Sequence, residues 1–363
     1  MFSLLKPLLH AIDPELVHEL TVNSGGQGLK IPGVEYLLST LFRFENVSLN
    51  IRVGNLTFSN PVGLAAGFDK NGMAIPLLQA LGFGFVEVGT VTPRAQVGNP
   101  KKRLFRLKKD QAIINRMGFN NHGVDALVSQ IKGIKKKSPV GVNIGKNKDT
   151  PLDQALNDYL ICLEKAWHVA DYFTVNISSP NTANLRDLQS EEHLYPLIQG
   201  IINRRDQLAD ETGLFRQVWL KIAPDLDDEQ IKVIAQIAIE LKIDALIVSN
   251  TTISRPDLLD EQRDEQGGLR GKPLLKPSTV VLSKMYKHTK DVIPLVGVGG
   301  IFTAEDAYDK VLHGASLIQI YTGMIYNGPG MVKEIKSGLV RIMQQQQVGH
   351  LPERIGCATM QIS

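Results

Sequence analysis

Short apolar runs, spaced along residues 61–321, dominate the pattern of the chain. Each run is short and almost free of charge, which is typical of a strand buried on both faces of a parallel sheet. Eight such runs are found: Pro61–Ala65, Phe85–Val88, Val140–Ile144, Tyr172–Ile177, Val218–Ile222, Ala245–Val248, Pro294–Val298 and Leu317–Tyr321. Helix-like segments separate most of them: Ile75–Leu81, Val124–Ile134, Leu152–Val169, Leu194–Leu208, Asp228–Leu241, Thr279–His288 and Ala304–Leu312. The alternation predicts an α/β fold, an eight-stranded parallel β/α (TIM) barrel.

Three further segments flank the predicted barrel. Residues 49–59 alternate apolar and polar around Gly54-Asn55, which predicts a hairpin at the barrel floor. Residues 1–44 predict a small N-terminal helical extension, in which Gly25, Gly26 and Gly28 separate the pieces. Past Gln344 the chain predicts a flexible tail. The expected division is therefore 1–44 for the extension, 45–343 for the barrel and 344–363 for the tail.

The extension carries two apolar faces. They consist of Leu4, Leu5, Leu8, Leu9 and Ile12, and of Val34, Leu37, Leu38, Leu41 and Phe42. These faces either pack on the barrel, as most amphipathic helices do, or lie on a membrane surface. The extension holds three basic residues (Lys6, Lys30, Arg43) and four acidic ones (Asp13, Glu15, Glu19, Glu35). Any affinity for a membrane must therefore be hydrophobic.

Composition narrows the class of protein. The 363 residues are 43% hydrophobic and 21% charged, with a formal net charge of +3, which is ordinary for a soluble globular protein and does not favour nucleic acid as a partner. The basic segments Lys101–Lys109 and Lys132–Lys137 are interpreted as solvated faces. Two cysteines and eight histidines without ligand spacing predict neither a disulfide framework nor a metal site. Lys6 and Pro7 interrupt the first apolar stretch, so neither a signal peptide nor a transmembrane span is expected.

Polar side chains stand where several predicted strands end. They are Asn143, Asn176, Lys221 and Asn250. A lysine buried without a partner would cost several kcal/mol, so Lys221 either reaches solvent or meets an anion. Because the carboxyl ends of barrel strands converge, the four side chains predict a ring of donors around a planar, electron-rich ligand.

Ser179 follows the run 172–177 on a loop that Pro180 keeps extended. Catalytic residues of barrel enzymes lie at such strand ends, although an ordinary connecting loop has the same composition. Glycines at 267–271, 297–301 and 321–324 either form turns or cradle a phosphate after the last two strands. A phosphorylated planar cofactor, with FMN the natural candidate, fits this arrangement. LAAGFDKNG (64–72) would admit a flat ring, and NRMGFNN (115–121) suits a small polar heterocycle.

The motifs, taken in order, resemble those of the quinone-linked (class 2) dihydroorotate dehydrogenases. They are DPELVHELT, LAAGFDKNG, EVGTVTPR, RLFRL, INRMGFNNHG, NIGKNKDT, NISSPNT, KIAPDL, NTT, GGLRGKPL, GVGGI and QIYTG. The resemblance extends from about Leu9 to Lys336. It departs at Ser249, where relatives often carry threonine, and in the tail past Gln344.

The resemblance implies oxidation of dihydroorotate to orotate in pyrimidine (UMP) synthesis, with FMN as hydride acceptor. Ser179 takes the position of the catalytic base, and a serine needs a relay through a threonine or water to act as one. The residues implied for FMN are Ala66, Gly67, Phe68, Asp69, Lys70, Thr90, Asn143, Asn176, Lys221, Ser249, Gly271, Gly300, Tyr321 and Thr322. The residues implied for the substrate are Lys70, Asn115, Arg116, Met117, Gly118, Phe119, Asn176, Asn181, Asn250 and Thr251.

The same resemblance implies a membrane quinone as the final electron acceptor. Its path would run past His18, Arg106 and Tyr321, under the N-terminal extension. A monomeric, peripheral membrane protein on the cytoplasmic side of the inner membrane is expected. Two other interpretations of the residues stay open: a phosphate-binding barrel lyase that uses Lys221 as a Schiff base, and a non-enzymatic peripheral membrane-binding protein.

Overall fold

The computed structural model describes residues 12–28, 31–255, 257–289 and 291–359. Its strands are β1 (Ile51–Val53), β2 (Leu56–Phe58), β3 (Val62–Leu64), β4 (Phe85–Val91), β5 (Leu104–Leu107), β6 (Ala112–Asn115), β7 (Val140–Ile144), β8 (Tyr172–Asn176), β9 (Gln217–Ile222), β10 (Ala245–Val248), β11 (Gly268–Gly271), β12 (Leu295–Val298) and β13 (Ala315–Ile320). Eight of these strands close into a parallel barrel in the order β3, β4, β7, β8, β9, β10, β12, β13. They are the eight strands that the apolar runs predict, so the predicted barrel is confirmed.

Helices connect the barrel strands and cover their outer faces. The described helices are Pro14–Gly28, Val34–Phe42, Ile75–Ala80, Val124–Ile131, Ala155–Ala166, Glu191–Thr212, Asp228–Glu240, Leu275–Thr289, Ala304–Leu312, Thr322–Asn327 and Met331–Gln345. The helices Asp228–Glu240 and Ala304–Leu312 each begin with a capping box, formed by Asp227 with Gln230 and by Thr303 with Asp306. The side chains between this helical layer and the barrel form one continuous apolar core.

The hairpin β1–β2 covers the amino ends of the barrel strands. Gly54 sits at its turn with φ of 55°, and Gln217, the first residue of β9, donates from Nε2 to the carbonyl oxygen of Val53 at 2.8 Å. Inside this end of the barrel, Phe58, Phe85 and Trp219 pack ring against ring. The amino end is therefore filled, and only the carboxyl ends of the strands are left to form a site.

A small antiparallel sheet, β5–β6–β11, lies over those carboxyl ends and is not predicted by the sequence pattern. Arg106 of β5 pairs with Ile113 of β6, and Arg270 of β11 pairs with the same residue from the other side. Short strands that contain arginine and glycine lack the apolar pattern of the barrel strands. The pairing of β6 with β11 also joins segments about 150 residues apart. No local sequence pattern predicts a pairing over such a distance.

The N-terminal helix pair, Pro14–Gly28 and Val34–Phe42, packs on the barrel's side. Gly28 ends the first helix, as the sequence predicts, but Gly25 and Gly26 do not separate the helical pieces: they lie inside that helix. A Cβ atom on Gly25 would come within 2.3 Å of the Leu77 side chain, and one on Gly26 within 2.3 Å of the Met73 carbonyl oxygen. These glycines therefore allow close packing. The face formed by Leu4, Leu5, Leu8 and Leu9 lies outside the described residues.

The sequence predicts a flexible tail past Gln344. The structure differs as far as Thr359, the last described residue, because this segment folds against the rest of the chain. The last long helix ends at Gln345, and a short 3₁₀ turn follows at Leu351–Arg354, with Leu351 fully buried. The backbone N–H groups of Gly356 and Ala358 donate to the carbonyl oxygens of Val311 and Leu312. The polar glutamine run gives no sign of this packing, because the fully buried apolar side chain, Leu351, comes several residues later.

Candidate active site

Three adjoining cavities open at the carboxyl end of the barrel. The polar cavity is lined by His18, Ala66, Gly67, Lys70, Thr90, Leu104, Asn115, Met117, Gly118, Phe119, Asn176, Ser179, Asn181, Lys221, Asn250, Thr251, Arg270 and Tyr321. The glycine cavity is lined by Ala65, Ala66, Lys221, Ser249, Asn250, Thr251, Arg270, Gly271, Leu274, Val298, Gly299, Gly300, Ile301, Gln319, Ile320, Tyr321, Thr322 and Gly323. Six residues line both cavities, so the two form one continuous space.

A hydrogen-bonded amide network fixes the floor of the polar cavity. Nδ2 of Asn176 donates to Oγ1 of Thr90 at 2.9 Å and to Oδ1 of Asn143 at 3.2 Å. Nδ2 of Asn250 donates to Oδ1 of Asn176 at 3.4 Å and to Oγ of Ser178 at 3.0 Å. The predicted convergence of the asparagines is therefore seen, and each amide is held in one orientation by its neighbours.

Ser179 lies on the loop after β8 and is 6% exposed. Its Oγ accepts the backbone N–H of Asn181 at 3.2 Å, and Asn181 in turn donates from Nδ2 to Oδ1 of Asn115 at 3.3 Å. Nδ2 of Asn99 donates to the carbonyl oxygen of Asn181 at 3.1 Å. The hydroxyl is thus buried, positioned by its own loop and directed at the polar cavity.

Lys221 is 4% exposed and does not reach solvent. Its Nζ lies 4.0 Å from Oε1 of Glu87, a carboxylate fully buried inside the barrel. Burial lowers the pKa of Lys221; the charge of Glu87 opposes this effect, and the charge of Arg270 adds to it. Of the two alternatives left by the sequence, the lysine therefore meets an anion, and that anion belongs to the protein.

The glycine cavity fits a phosphorylated cofactor. Gly300 has φ of 74°, and a Cβ atom there would lie 2.3 Å from the backbone nitrogen of Leu275; one on Gly271 would lie 2.5 Å from the carbonyl oxygen of Gln111. Side chains are excluded at both positions, so these parts of the cavity wall are formed by backbone alone. Nε of Arg270 and Oε1 of Gln319 are buried and have no hydrogen-bond partner among the described residues. A charged donor and an acceptor are thus available to a ligand.

The apolar cavity lies between the N-terminal helix pair and the barrel. It is lined by Pro14, Val17, His18, Thr21, Leu38, Phe42, Phe68, Leu77, Leu78, Leu81, Leu104, Arg106, Ile113, Arg270, Tyr321, Met324, Ile325, Gly328 and Pro329. His18, Leu104, Arg270 and Tyr321 also line the polar cavity. The three residues predicted for a quinone path, His18, Arg106 and Tyr321, all stand in its wall.

His18 and Lys70, in the walls of these cavities, also have lowered pKa values. Burial, helped by the charges of Lys70 and Arg270, lowers the pKa of His18 to about 3, so this imidazole is neutral at physiological pH. Its ring meets Phe68 edge to face at 5.0 Å. Burial, with the charges of Arg270 and Arg103, lowers the pKa of Lys70 to about 8. The apolar cavity therefore presents a neutral histidine, and the polar cavity presents a lysine close to its titration point.

Four residues predicted to hold the cofactor or the substrate stand outside the walls of the polar and glycine cavities. Phe68 lines the apolar cavity, and Asn143 lies beneath the amide network. The carboxylate of Asp69 is fully buried and accepts the N–H groups of Met73 and Ala74, so it holds the following loop. Arg116 pairs with Glu265 at 2.7 Å and lies over the Phe105 ring.

Sequence reasoning missed Arg270, which lines all three cavities and lies 3.8 Å above the Tyr321 ring. The motif GGLRG was interpreted for its glycines alone, although an arginine between them was a signal. Glu87 was also missed, and a carboxylate inside an otherwise apolar strand was the signal there. Within the described ranges, no cluster of three histidine, cysteine or acidic side chains could hold a metal ion.

Known proteins similar to this chain share one activity. The family model described as "Dihydroorotate dehydrogenase" matches residues 48–343. Proteins named "Dihydroorotate dehydrogenase (quinone)" from Christiangramia forsetii and Idiomarina loihiensis are 49% identical over 338 residues and 48% identical over 339 residues. Each alignment covers 93% of this chain, and 98% and 100% of the respective relative. A crystal structure of DHODH from Eimeria tenella in complex with ferulenol superposes with a TM-score of 0.87, at 40% identity and with 95% of both chains covered. The chain therefore belongs to the dihydroorotate dehydrogenase family.

Proposed function

We propose that this protein oxidises dihydroorotate to orotate in de novo pyrimidine synthesis, with FMN as hydride acceptor and a membrane quinone as final electron acceptor. The substrate loses a proton from C5 and a hydride from C6, and the two electrons leave the protein when quinone is reduced to quinol. The observation that carries this proposal is the meeting of the polar and apolar cavities at Tyr321. One site can thus take a polar donor and an apolar acceptor from different sides.

The polar cavity supplies the donors and acceptors that a ring with several carbonyl and N–H groups requires. The side chains of Asn115, Asn176, Asn181 and Asn250 are held in place by the network described above, so little conformational entropy is lost when substrate binds. Lys70, in its charged form, would pair with the substrate carboxylate. Met117, Gly118, Phe119 and Thr251 complete the wall around the ring.

Ser179 is the proposed base for the proton at C5. A hydroxyl must pass on its own proton as it takes one from the substrate, so the relay to a threonine or water suggested by the sequence is retained. Burial of Ser179 supports this role, because a closed site limits exchange of the transferred proton with bulk solvent. The backbone N–H of Asn181 would stabilise negative charge on Oγ as the proton leaves.

FMN, when bound, supplies the hydride acceptor at C6 and a two-electron store. The residues proposed to hold it are Ala66, Gly67, Thr90, Asn143, Asn176, Lys221, Ser249, Gly271, Gly300, Tyr321 and Thr322, to which Arg270 and Gln319 are added here. Gly271 and Gly300, where the cavity wall is backbone alone, would lie close to the phosphate. Lys221 lines both the polar and the glycine cavities and would stabilise negative charge on the reduced ring.

The apolar cavity is the proposed quinone site. Its lining is dominated by leucine, isoleucine, phenylalanine and methionine, and the neutral His18 adds no charge to this lining. Outside the cavity, the helix pair exposes Leu16, Leu20, Tyr36, Leu37 and Leu41. No described helix has both the length and the hydropathy needed to span a bilayer. We therefore propose a monomer bound peripherally at the cytoplasmic side of the inner membrane by these apolar side chains.

The alternatives left by the sequence lose their support. A Schiff-base lyase would need Lys221 to react with a carbonyl, whereas its ammonium lies beside Glu87 and the family is one of dehydrogenases.

The purified protein should be yellow. Under anaerobic conditions dihydroorotate should bleach the bound chromophore, and a quinone should restore it much faster than fumarate or NAD does. A colourless protein, or a flavin that dihydroorotate leaves oxidised, contradicts the proposal.

A further inference from the structure

Glu87 is the most completely enclosed carboxylate next to the proposed cofactor site. It lies on β4 with its side chain inside the barrel and is fully buried. An ionised carboxylate in such a place must be paired and hydrogen-bonded, because its transfer from water is otherwise prohibitive. Its surroundings show how this requirement is met, and which side chains are fixed as a result.

Four hydrogen bonds reach this carboxylate from three other strands of the barrel. Oε1 accepts Nδ2 of Asn143 at 2.8 Å. Oε2 accepts Nε2 of Gln319 at 2.8 Å, Oγ1 of Thr174 at 3.1 Å and the hydroxyl of Tyr172 at 3.4 Å. A carboxylate only accepts, so both amides must turn their nitrogens toward it. Glu87 therefore determines the orientation of two amide groups.

The orientation of Gln319 has a direct consequence for the cofactor cavity. Because Nε2 is held by Glu87, Oε1 points away from the carboxylate, and Gln319 lines the glycine cavity. That oxygen is buried without a hydrogen-bond partner among the described residues. A buried acceptor of this kind is unfavourable until a donor reaches it. A ring N–H or a hydroxyl of the bound cofactor would supply that donor.

The second consequence concerns Lys221. Burial favours its neutral form, and the charged groups acting on it are Glu87 of β4, which raises its pKa, and Arg270 of β11, which lowers it. Oε1 of Glu87 lies 4.0 Å from Nζ inside the barrel. An opposite charge at this distance favours the charged form of the lysine. Without Glu87, the lysine would be a poor cation.

We propose that Glu87 is a positioning residue for the cofactor: its carboxylate pairs with Lys221 and turns the amide oxygen of Gln319 toward the cofactor cavity. It touches neither substrate nor cofactor and acts through these two side chains. The inference rests on the proposed function only in assuming that a flavin occupies the cavity.

Glu87→Gln is the variant that tests this role, because it removes the charge at almost constant volume. The amide brings a donor to a place where four donors already converge. FMN affinity of the apoprotein, followed by quenching of flavin fluorescence, should fall about tenfold or more, since a charge-assisted hydrogen bond is lost. With rising pH, the affinity should also begin to decline at a lower pH than in the parent protein, because the pKa of Lys221 falls when the neighbouring carboxylate is removed.

Thr174→Val is the matched control. It removes one hydrogen bond to the same carboxylate and alters the same layer of the barrel, but it leaves the charge of Glu87 in place. A merely structural role would make the two variants alike. The pH at which FMN affinity declines should be lower in Glu87→Gln than in the parent protein and unchanged in Thr174→Val. Equal changes in the two variants would overturn the proposal.

The double variant Glu87→Gln with Lys221→Met covers the case in which the single variant does not fold. It leaves no unpaired charge, so it should fold even if Glu87→Gln does not. In the Lys221→Met background the Glu87 substitution should cost less FMN affinity than it does in the parent protein, because only its effect on Gln319 remains. Failure of the double variant to fold, or fully additive losses, would overturn the proposal. These titrations contain no substrate, so a failure of dihydroorotate to reduce the flavin would count against the proposed function alone.

Discussion

The polar and apolar cavities meet at Tyr321, yet their walls are built differently. The floor of the polar cavity is made of barrel strand ends, where Asn176 and Thr90 are at most 5% exposed and every amide is hydrogen-bonded. The roof of the apolar cavity is the helix pair, and the helix Val34–Phe42 contains no fully buried residue. Proton and hydride transfer need fixed geometry. An apolar electron acceptor needs only an apolar surface that excludes water and an entrance to the cavity.

Among the described residues, one ion pair with both side chains buried, Glu15 with Arg103, holds the helix pair to the rest of the protein. Within the two described helices, only Glu15 and Val22 are fully buried. Oε1 of Glu15 accepts both Nε and Nη2 of Arg103, at 3.1 and 2.8 Å, and Arg103 also donates to the carbonyl oxygens of Val97 and Asn99. Because Asn99 reaches Asn181 beside Ser179, this anchor ends close to the polar cavity. The two cavities therefore differ in how their walls are formed but are connected through this ion pair.

Ser179→Ala is expected to give the largest difference between the reactions of the two cavities. Loss of the base should slow reduction of the bound flavin by dihydroorotate at least about a hundredfold, whereas quinone should reoxidise the reduced protein at the normal rate. Anaerobic stopped-flow absorbance measures both steps. Ser190→Ala, which alters an exposed serine on the same connection, is the control and should change neither. Normal flavin reduction in Ser179→Ala would remove the serine from the mechanism.

Glu15→Gln tests the anchor between the regions. It leaves Arg103 buried without its carboxylate, which should lower the free energy of unfolding by about 3 kcal/mol. Hydrogen exchange should rise first in residues 14–42. The matched control is Glu19→Gln, because Glu19 is half-exposed and lies 3.7 Å from Lys101, a pair that contributes about 0.5 kcal/mol or less. Equal effects of the two substitutions would mean that the buried pair does not hold the helices.

A charge placed in the apolar cavity should affect only the exit of electrons. Leu38→Asp puts a carboxylate in the cavity wall and should slow reoxidation by a short-chain, water-soluble quinone about tenfold, since the site is no longer apolar. Leu37→Asp is the comparison on the same helix, where the side chain is 57% exposed. It should weaken binding to lipid vesicles and leave that reoxidation unchanged. A reversed pattern would place the quinone outside this cavity.

The smallest effect is a pH dependence in the polar region. Lys70 must be charged to pair with a carboxylate, and its pKa of about 8 means that the charged form is present below this pH and is lost above it. The KM for dihydroorotate should therefore be constant well below pH 8 and rise several-fold above it. In Lys70→Arg the side chain stays charged, so the rise near pH 8 should vanish whatever the absolute KM. Persistence of the rise would assign it to another group.

The same contrast explains what the sequence could and could not predict. The eight barrel strands are buried on both faces, so their residues are mostly apolar, wholly so in Ala245–Val248, and the strands are easily found. The polar residues at their ends follow from the strand boundaries. The sheet β5–β6–β11 depends on pairing across about 150 residues, and Gly25 and Gly26 look like breaks until the packing against Leu77 is seen. Arg270 was hidden for the same reason, because its strand was not recognised.

The central claim is that donor and acceptor use different cavities that share one flavin. Reoxidation of the dihydroorotate-reduced protein by a water-soluble quinone, recorded by anaerobic stopped flow with and without saturating orotate, tests it most directly. Orotate in the polar cavity should leave the quinone concentration that gives half-maximal reoxidation unchanged. Competition, in which orotate raises that concentration in proportion to its own occupancy, would contradict the claim.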